Sequence, residues 1–325
     1  MHLTTDSTHT TTFLRGLSIV APNVLNGHME KEFIEWLKTA LDEQTKTNAG
    51  IGDDAAVFTT PPEMKQLLTS DCLVDQVHFD VTTTSLNLIG RKCVAASISD
   101  IAAMCGSPKY GIISIVAPRS FSLDDLKKLC EGMFSVSDAY SCSIIGGDFI
   151  SHDGPLTINV TILGLGKQNQ LRFRFATEVN DSIFVSGSLG GSRDGHHLTF
   201  EPRVQLGLAL GGNPAVHSLT DITDGLVIDL HSILTAGNYG ATLIESDIPT
   251  SPHLANSKSA ITAALYDGED FELLFTASSE YKGHLENRTS DVSITKIGYV
   301  NNDPQILLIT DSGDTSQLDV RGYSH

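Results

Sequence analysis

The first half of the chain alternates between helical and extended patterns of apolar residues. Within 29–41, four apolar residues recur at helical spacing and predict a surface helix with one apolar stripe: Phe33, Ile34, Leu37 and Leu41. The stretch 82–108 predicts a long helix, because Thr or Ser near 82–85 can cap its start and Gly106 with Pro108 stops it. The continuous apolar run 111–118 predicts a buried strand.

Strands and helices continue to alternate up to about residue 166. A capping box from Ser122 to Asp125 opens a helix, and the segments SIIGGDFI (143–150) and PLTINVTILGLG (155–166) predict strands. This alternation is typical of α/β architecture. The second half begins with a predicted strand in DSIFVSGSLGG, then has a loop running into a helix in SLTDITDGLVIDLHSILTAG and a turn followed by a strand in ALYDGEDFELLFTA.

The length of 325 residues exceeds that of a typical single-core domain, so two domains are expected. We place them at 29–166 and 167–325, with a Thr/Ser/His-rich tail at 1–28 that is predicted to be disordered. The tail has no apolar core long enough for a signal peptide, and no run of about 18 apolar residues predicts a membrane span. The expected location is therefore cytoplasmic, with no membrane partner.

The formal net charge of −18 argues against a protein that binds the phosphate backbone of nucleic acids. It is compatible with metal binding through oxygen ligands, and equally with solubility alone. The chain has five cysteines and no CxxC spacing, which predicts buried, reduced thiols rather than disulfides or a zinc site: Cys72, Cys93, Cys105, Cys130 and Cys142.

Several aspartates stand at the ends of predicted elements among apolar or small neighbours, namely Asp53, Asp54, Asp71, Asp100, Asp148, Asp221 and Asp224. Each one alone is more often a turn or cap residue. Asp100 is the most informative, because Asp is unfavourable inside a helix and this one lies between Ile98 and Ile101. A buried carboxylate there needs hydrogen-bond donors or a cation.

If these carboxylates converge, they cannot all stay ionised without positive charge nearby. Mg²⁺ is the natural candidate, because it binds carboxylates together with substrate phosphate oxygens. The glycines of GGD (146–148) and of SGSLGG (186–191) can either form turns or let backbone N–H groups approach phosphate. The residues by themselves thus predict metal-dependent phosphate chemistry.

Six motifs occur in an order that resembles the thiamine-monophosphate kinase family: GIGDDAAV, TSDCLVDQVHF, SISDIAAMCGSP, IIGGD, DITDGL and DGEDFELLF. That family shares a superfamily with aminoimidazole ribonucleotide synthetase and selenophosphate synthetase, and the VHF element favours the thiamine kinase branch. The resemblance runs from about residue 29 to the C-terminus. It implies a two-domain α/β (α+β) fold, with an N-terminal ATP- and Mg²⁺-binding domain that dimerises through its sheet and a C-terminal α/β domain.

The resemblance also implies an activity, cofactors and site residues. ATP would bind with Mg²⁺ between the domains of a homodimer, and its γ-phosphate would pass to thiamine monophosphate. The implied metal ligands are Asp54, Thr69, Ser70, Asp71, Asp100, Asp148, Asp221 and Asp224; the implied nucleotide contacts are Gly147, Asp148, Arg174 and Thr223. His78 and Glu269 would face the acceptor, and Asp71, Arg174 and Asp224 would be catalytic. Without the resemblance, His78 is equally a core histidine, Arg174 a solvated strand residue and Glu269 a turn acid.

The chain departs from the family's pattern mainly in its second half. GGDFIS stands where GGDTTR is usual, Gly191 replaces an Asp, and Asp267 gives DGED in place of GGED. Val320 occupies the position of the aromatic residue that packs against thiamine. Two alternatives therefore stay open, a related ATP-dependent kinase or synthetase with another small acceptor, and a non-catalytic nucleotide-binding homologue.

Overall fold

A computed structural model of the protein describes residues 32, 33, 35–37, 39, 40, 61–254, 257, 259–281 and 292–323. The described residues within 32–40 are helical and form α1, in agreement with the predicted helix at 29–41. Phe33 of α1 is buried and stacks on Trp36, with ring centroids 5.9 Å apart. The predicted tail 1–28 and the aspartates Asp53 and Asp54 lie outside the described residues.

The first sheet has four strands in the spatial order β1-β4-β2-β3: β1 Met64–Val74, β2 Ser107–Pro118, β3 Ser143–His152 and β4 Thr157–Lys167. β2 and β3 are parallel, and the pairs of β4 with β1 and β2 are antiparallel. Two helices, α2 Leu86–Ala103 and α3 Leu123–Ala139, connect the first three strands. The predicted strands and helices of this half are confirmed, including the capping box of Ser122 with Asp125.

Side chains alternate along these strands between a face covered by helices and an open face. Leu67 and Ile113 are buried on the covered face, whereas Leu68 is 74% exposed and Ile112 is exposed on the open one. Cys72 also lies on the open face and is exposed, so its predicted burial is wrong, and the other four cysteines are buried. Among the described residues, the open face of the first sheet therefore carries exposed apolar side chains.

The helix α2 is buried on almost every side. Ser85 caps it by accepting a hydrogen bond from the Leu88 N–H at 3.4 Å. At its other end Cys105, not Gly106, adopts the left-handed conformation (φ 58°), and the Gly106 N–H donates to Ile101 O at 2.9 Å. Its buried residues include Lys92, Ser97 and Ser99 beside the apolar ones, so α2 lies in the interior and is not a surface helix. Of the helices in the described ranges, none is long and apolar enough to span a bilayer.

The second sheet has seven strands in the order β11-β10-β7-β9-β5-β8-β6: β5 Ser182–Ser186, β6 Val216–Asp221, β7 Gly240–Ile244, β8 Leu273–Ala277, β9 Ile294–Asn301, β10 Ile306–Ile309 and β11 Thr315–Gln317. The parallel pair of β7 with β10 makes it a mixed sheet. Four helices belong to this half: α4 His196–Thr199, α5 Val204–Gly211, α6 Leu226–Leu234 and α7 Ala260–Tyr266.

Both sheets are joined through α2. Its residue Ala103 belongs to the same buried apolar cluster as Leu206 and Leu210 of α5. The rings of Phe200 and Phe271, from the second half, stack with centroids 4.0 Å apart inside the core of the first half. The mixed α/β class and the fold of the superfamily are confirmed, and α2 holds the two halves against each other.

Glycines set the distance between α2 and α3. A Cβ on Gly132 would lie 1.9 Å from Asn87 O, so Gly132→Ala is expected to destabilise the protein by about 1–3 kcal/mol through overpacking. Ala is ordinarily the better helix former, so a fall in stability has to come from this contact. Thermal unfolding checks it, with Gly212→Ala as the control, because a Cβ there meets no atom closer than 3.5 Å. Equal melting temperatures for the two variants would contradict this account of the packing.

Candidate functional site

Two serines on α2 bind carboxylates of the two different sheets. Ser97 Oγ donates to Asp71 Oδ2 of β1 at 2.6 Å, and Ser99 Oγ donates to Asp221 Oδ2 of β6 at 2.6 Å. Asp71 and Asp221 are thereby held on either side of the last turns of the helix. Sequence reasoning missed both serines. Two hydroxyl residues, two positions apart in an otherwise apolar stretch of helix, were an available signal for buried hydrogen-bond acceptors nearby.

Asp100 lies between these two carboxylates and accepts a hydrogen bond from Thr69 Oγ1. Burial, together with repulsion from Asp221 and Asp71, raises the pKa of Asp100 to about 7. Burial likewise raises the pKa of Asp221 to about 6, although Ser99 opposes this. The second oxygen of Asp221, Oδ1, is buried and has no hydrogen-bond partner among the described residues. This carboxylate cluster of Asp71, Asp100 and Asp221 therefore carries more negative charge than its neighbours in the described residues compensate for.

The carboxylate cluster fits a divalent cation only as part of a larger ligand set. Among the residues that the structure describes, no three His, Cys, Asp or Glu side chains are close enough to hold one ion together. Mg²⁺ commonly binds through one or two carboxylates and takes its other ligands from water and substrate phosphates. The orphaned Asp221 Oδ1 and the raised pKa of Asp100 fit such a site. The predicted ligand Asp54 lies outside the described residues.

The carboxylate cluster opens into a cavity of about 550 Å³. We call it the nucleotide cavity, after the nucleotide contact that the resemblance predicts at Arg174. Asp100, Asp221 and Thr69 line it together with Arg174. The charge of Arg174 lowers the pKa of Asp100 and of Asp221, although burial outweighs it in both. The structure thus brings together four of the predicted metal-binding and nucleotide-binding residues, and this volume is in the range of small-molecule sites.

Two predicted metal ligands lie on the other face of the first sheet. Ser70 follows Thr69 on β1 and its Oγ lies 3.0 Å from Thr161 Oγ1. Asp148 of β3 pairs in register with Ser114 and is exposed, beside Gly147. β3 stands three strands from β1, which is about 14 Å across the sheet. Within one chain the side chains of Ser70 and Asp148 do not join the carboxylate cluster.

The loop between β6 and α6 is held by a carboxylate that sequence reasoning missed. Asp229 Oδ2 accepts hydrogen bonds from the backbone N–H groups of Thr223, Asp224 and Gly225 at 3.0, 3.0 and 3.1 Å. Burial raises the pKa of Asp229 to about 6, and these N–H groups oppose the rise. An Asp in the first turn of a helix that follows Asp-Gly was the available signal. The predicted Thr223 and Asp224 therefore sit on a fixed loop directly after Asp221.

A second polar cluster, the lysine cluster, surrounds the ammonium group of Lys92 on α2. The Lys92 side chain is 1% exposed, and its Nζ donates to Glu269 Oε1 and to His78 O, both at 2.6 Å. His197 Nδ1 lies 2.8 Å from Lys92 Nζ and 3.2 Å from Glu269 Oε2. Burial alone would raise the pKa of Glu269, but His197 and Lys92 outweigh it and lower that pKa to about 2. Glu269 is thus a buried anion.

The structure brings His78 and Glu269 to the same place, but not as two free side chains. The His78 ring Nδ1 accepts a hydrogen bond from the Val74 N–H at 3.0 Å. The backbone carbonyl of His78 accepts the hydrogen bond from Lys92 Nζ. Arg193 extends the lysine cluster to the surface: its guanidinium lies 4.5 Å over the ring of Tyr323, and its Nε is 3.9 Å from Glu269 Oε2.

The SGSLGG segment forms a turn and not an open phosphate cradle. The Gly190 N–H donates to Asp270 Oδ1 at 2.9 Å, and the Gly191 N–H donates to Asp267 Oδ2 at 3.3 Å. Gly187, Gly190 and Gly191 all have positive φ angles. Carboxylates of the chain therefore already occupy two of the three glycine N–H groups that were candidates for phosphate binding, and the Gly187 N–H donates to Ser293 O at 2.9 Å.

Comparison with known proteins places this geometry among its relatives. The family described as AIR synthase related protein, N-terminal domain, matches residues 52–166. Thiamine-monophosphate kinase of Rhodopirellula baltica is 36% identical over 284 residues, which cover 84% of this chain and 89% of that protein. The crystal structure of thiamine-monophosphate kinase from Stenotrophomonas maltophilia K279a is 28% identical with a TM-score of 0.77, covering 87% of this chain and 96% of that one. AaThiL complexed with AMPPCP and TMP is 26% identical with a TM-score of 0.69, covering 93% and 97%.

The carboxylate cluster predicts a pH-dependent cost to stability. Because the folded pKa of Asp100 is raised from 3.8 to about 7, stability is lost as the pH rises through that interval and the buried carboxylate ionises. Asp100→Asn is expected to raise the unfolding free energy of the metal-free protein by about 2–4 kcal/mol at pH 8 and by much less at pH 5. Urea unfolding at both pH values measures this, with exposed Asp303→Asn as control. A gain that is equal at both pH values would contradict the role of ionisation.

The buried pair of Lys92 and Glu269 predicts a strong coupling. Lys92→Met leaves Glu269 without its main partner and is expected to destabilise the protein by about 3–5 kcal/mol. The double variant Lys92→Met with Glu269→Gln is expected to recover part of that loss, since the uncompensated charge is gone. Urea unfolding of the single and double variants tests this, beside Arg119→Met in the exposed pair with Asp153, which is expected to cost under about 1 kcal/mol. Additive effects of the two substitutions would contradict the coupling.

Proposed function

The chain belongs to the thiamine-monophosphate kinase family, and on that premise we propose that it transfers the γ-phosphate of ATP to thiamine monophosphate, giving thiamine diphosphate and ADP. The observation that carries the proposal is the carboxylate cluster, in which α2 gathers Asp71 and Asp221 from the two sheets around Asp100. Phosphoryl transfer needs positioning and charge neutralisation more than covalent catalysis. Relatives that carry the kinase name, and AaThiL complexed with AMPPCP and TMP, support the same activity.

We propose that Asp71, Asp100 and Asp221 bind Mg²⁺ with at most two of these carboxylates on any one ion, and with Thr69 beside them. Bound Mg²⁺ would neutralise the charge of the phosphates and allow these carboxylates to ionise together. The roles of Asp54, Ser70, Asp148 and Asp224 as further ligands stay predictions from the resemblance. Asp229 supports the proposal for Asp224, because it fixes the loop that carries it.

Arg174 is proposed to bind the nucleotide phosphates from the wall of the nucleotide cavity. A guanidinium keeps its charge at every physiological pH and can bridge two phosphate oxygens. Its catalytic role with Asp71 and Asp224 rests on the resemblance, and its place beside Asp100 and Asp221 supports it. Thr223 and Gly147 stay predicted nucleotide contacts.

The acceptor is proposed to bind near the lysine cluster, where Glu269 and His78 meet. In this site Glu269 is the anion, while Lys92 and Arg193 are cations. Thiamine monophosphate carries a permanent positive charge on its thiazolium ring, so a second candidate acceptor is a small phosphorylated compound without that cation. Two observations favour this second candidate. The Arg193 guanidinium already lies over the ring of Tyr323, and the exposed Val320 is aliphatic where the family has an aromatic residue that packs against thiamine.

The chain is proposed to act as a homodimer that buries the open face of the first sheet. Leu68, Ile112 and Ile150 are exposed on that face, where large apolar side chains are costly in water. Asp148 lies on the same face. We also propose two domains, an N-terminal one at 29–166 and a C-terminal one at 167–325. The last strand of the first sheet ends at Lys167, and the first strand of the second sheet begins at Ser182.

A direct assay tests the proposed reaction. Purified protein with Mg²⁺, ATP and thiamine monophosphate is expected to form thiamine diphosphate, measured by chromatography, and EDTA is expected to stop it. Asp71→Asn is expected to lower the rate at least about 100-fold, because removing one electrostatic group from such a site costs about 3 kcal/mol of barrier. Asp303→Asn serves as control.

Two results of this assay would change the assignment. ADP release with a thiazolium-free phosphorylated acceptor, but not with thiamine monophosphate, would favour the second candidate. Full activity of the Asp71→Asn variant would overturn the proposed metal site.

A further inference from the structure

Two phenylalanines stand side by side on the surface next to Arg174. The rings of Phe173 and Phe175 stack with centroids 5.1 Å apart and planes inclined by 14°. Phe173 is 38% exposed and Phe175 is 67% exposed. A large aromatic ring gains most of its stabilisation from burial, so this pair leaves unused a surface suited to a flat ring.

The exposure of these rings does not come from a loose segment. The Ala176 N–H donates to Ser218 Oγ at 3.0 Å, and Ser218 Oγ donates in turn to Arg174 O at 3.3 Å. On the other side, an Arg172 guanidinium nitrogen donates to Asn213 O at 2.9 Å. The backbone on both sides of the rings is thus tied to the second half of the chain, and the pair is held in place.

Both rings line the nucleotide cavity. Its wall combines an apolar part, made by Phe173, Phe175 and Leu68, with the polar groups of Arg174 and Asp100. A nucleoside triphosphate has the matching division, with a flat apolar base at one end and charged phosphates at the other. A cavity of about 550 Å³ can enclose such a molecule.

We propose that Phe173 and Phe175 form a stacking platform for the purine base of the nucleoside triphosphate. The inference rests on the proposed function and adds to it the residues that bind the base. Stacking depends on the face of the ring and not on its hydrogen-bonding edge, so the platform accepts guanine as well as adenine. Arg174, between the two rings in sequence, then serves the phosphates of the same nucleotide.

The test separates the base from the phosphates. Binding of a non-hydrolysable ATP analogue and of inorganic tripolyphosphate, each with Mg²⁺, is measured by calorimetry on the full chain. In Phe175→Ala and in the double variant with Phe173→Ala, the analogue is expected to bind at least about tenfold more weakly, while tripolyphosphate binding changes less than about twofold. Phe175→Trp keeps an aromatic ring at this position and is expected to bind the analogue as tightly as the wild-type protein, unlike Phe175→Ala. Tyr299→Ala is the matched control, an exposed aromatic residue on the second sheet.

Other outcomes would overturn the platform. If the variants lose affinity for the analogue and for tripolyphosphate by the same factor, the rings support the phosphate site or the fold. If the variants keep their affinity for both compounds and sedimentation shows loss of the dimer, the rings belong to a subunit interface. If wild-type protein binds the analogue no more tightly than tripolyphosphate, no base platform exists, whereas the proposed kinase reaction would still stand or fall by the turnover assay.

Discussion

The packing of α2 against both sheets is the constraint on which the site depends, because it holds Asp71, Asp100 and Asp221 near each other against their mutual repulsion. Each carboxylate receives one hydroxyl from the chain, which is too little to compensate for burial, as the raised pKa values of Asp100 and Asp221 show. Three such groups stay near each other because α2 and the strands around it are packed by apolar contacts that outweigh the repulsion. The folded chain thus holds its carboxylates ready for a cation at a cost to its own stability.

The lysine cluster lies on the same helix, but its buried charge is positive and has partners. Lys92 is a buried cation, and it is satisfied by Glu269, a backbone carbonyl and the neighbouring His197. It ties α2 of the first half to the Asp-Gly-Glu turn and to α4 of the second half. Apolar contacts, the paired charge of Lys92 and the ion pair of Arg91 with Glu201 therefore hold the halves together, while the carboxylate cluster keeps uncompensated charge.

The sequence predicted the elements of the first half well, because apolar periods, the Ser122 capping box and the Gly106–Pro108 stop are local signals. It also predicted most of the carboxylate cluster, since an Asp inside an apolar helix is costly unless a donor or a cation compensates its charge. It could not predict which face of a strand a residue occupies relative to a distant helix. The predicted burial of Cys72 was therefore wrong, and the separation of Ser70 and Asp148 from the carboxylate cluster within one chain was not foreseen. Lys92 and Asp229 were missed because their partners are defined by tertiary packing and by a folded loop.

The position of both clusters on one helix has a consequence for the reaction. Lys92 and Asp100 are eight residues apart in α2, which separates them by about 12 Å along its axis. In the proposed reaction, α2 therefore sets the distance between nucleotide phosphates at the carboxylate cluster and the end of an acceptor at the lysine cluster. On that proposal, the acceptor is selected by its length as well as by its chemistry.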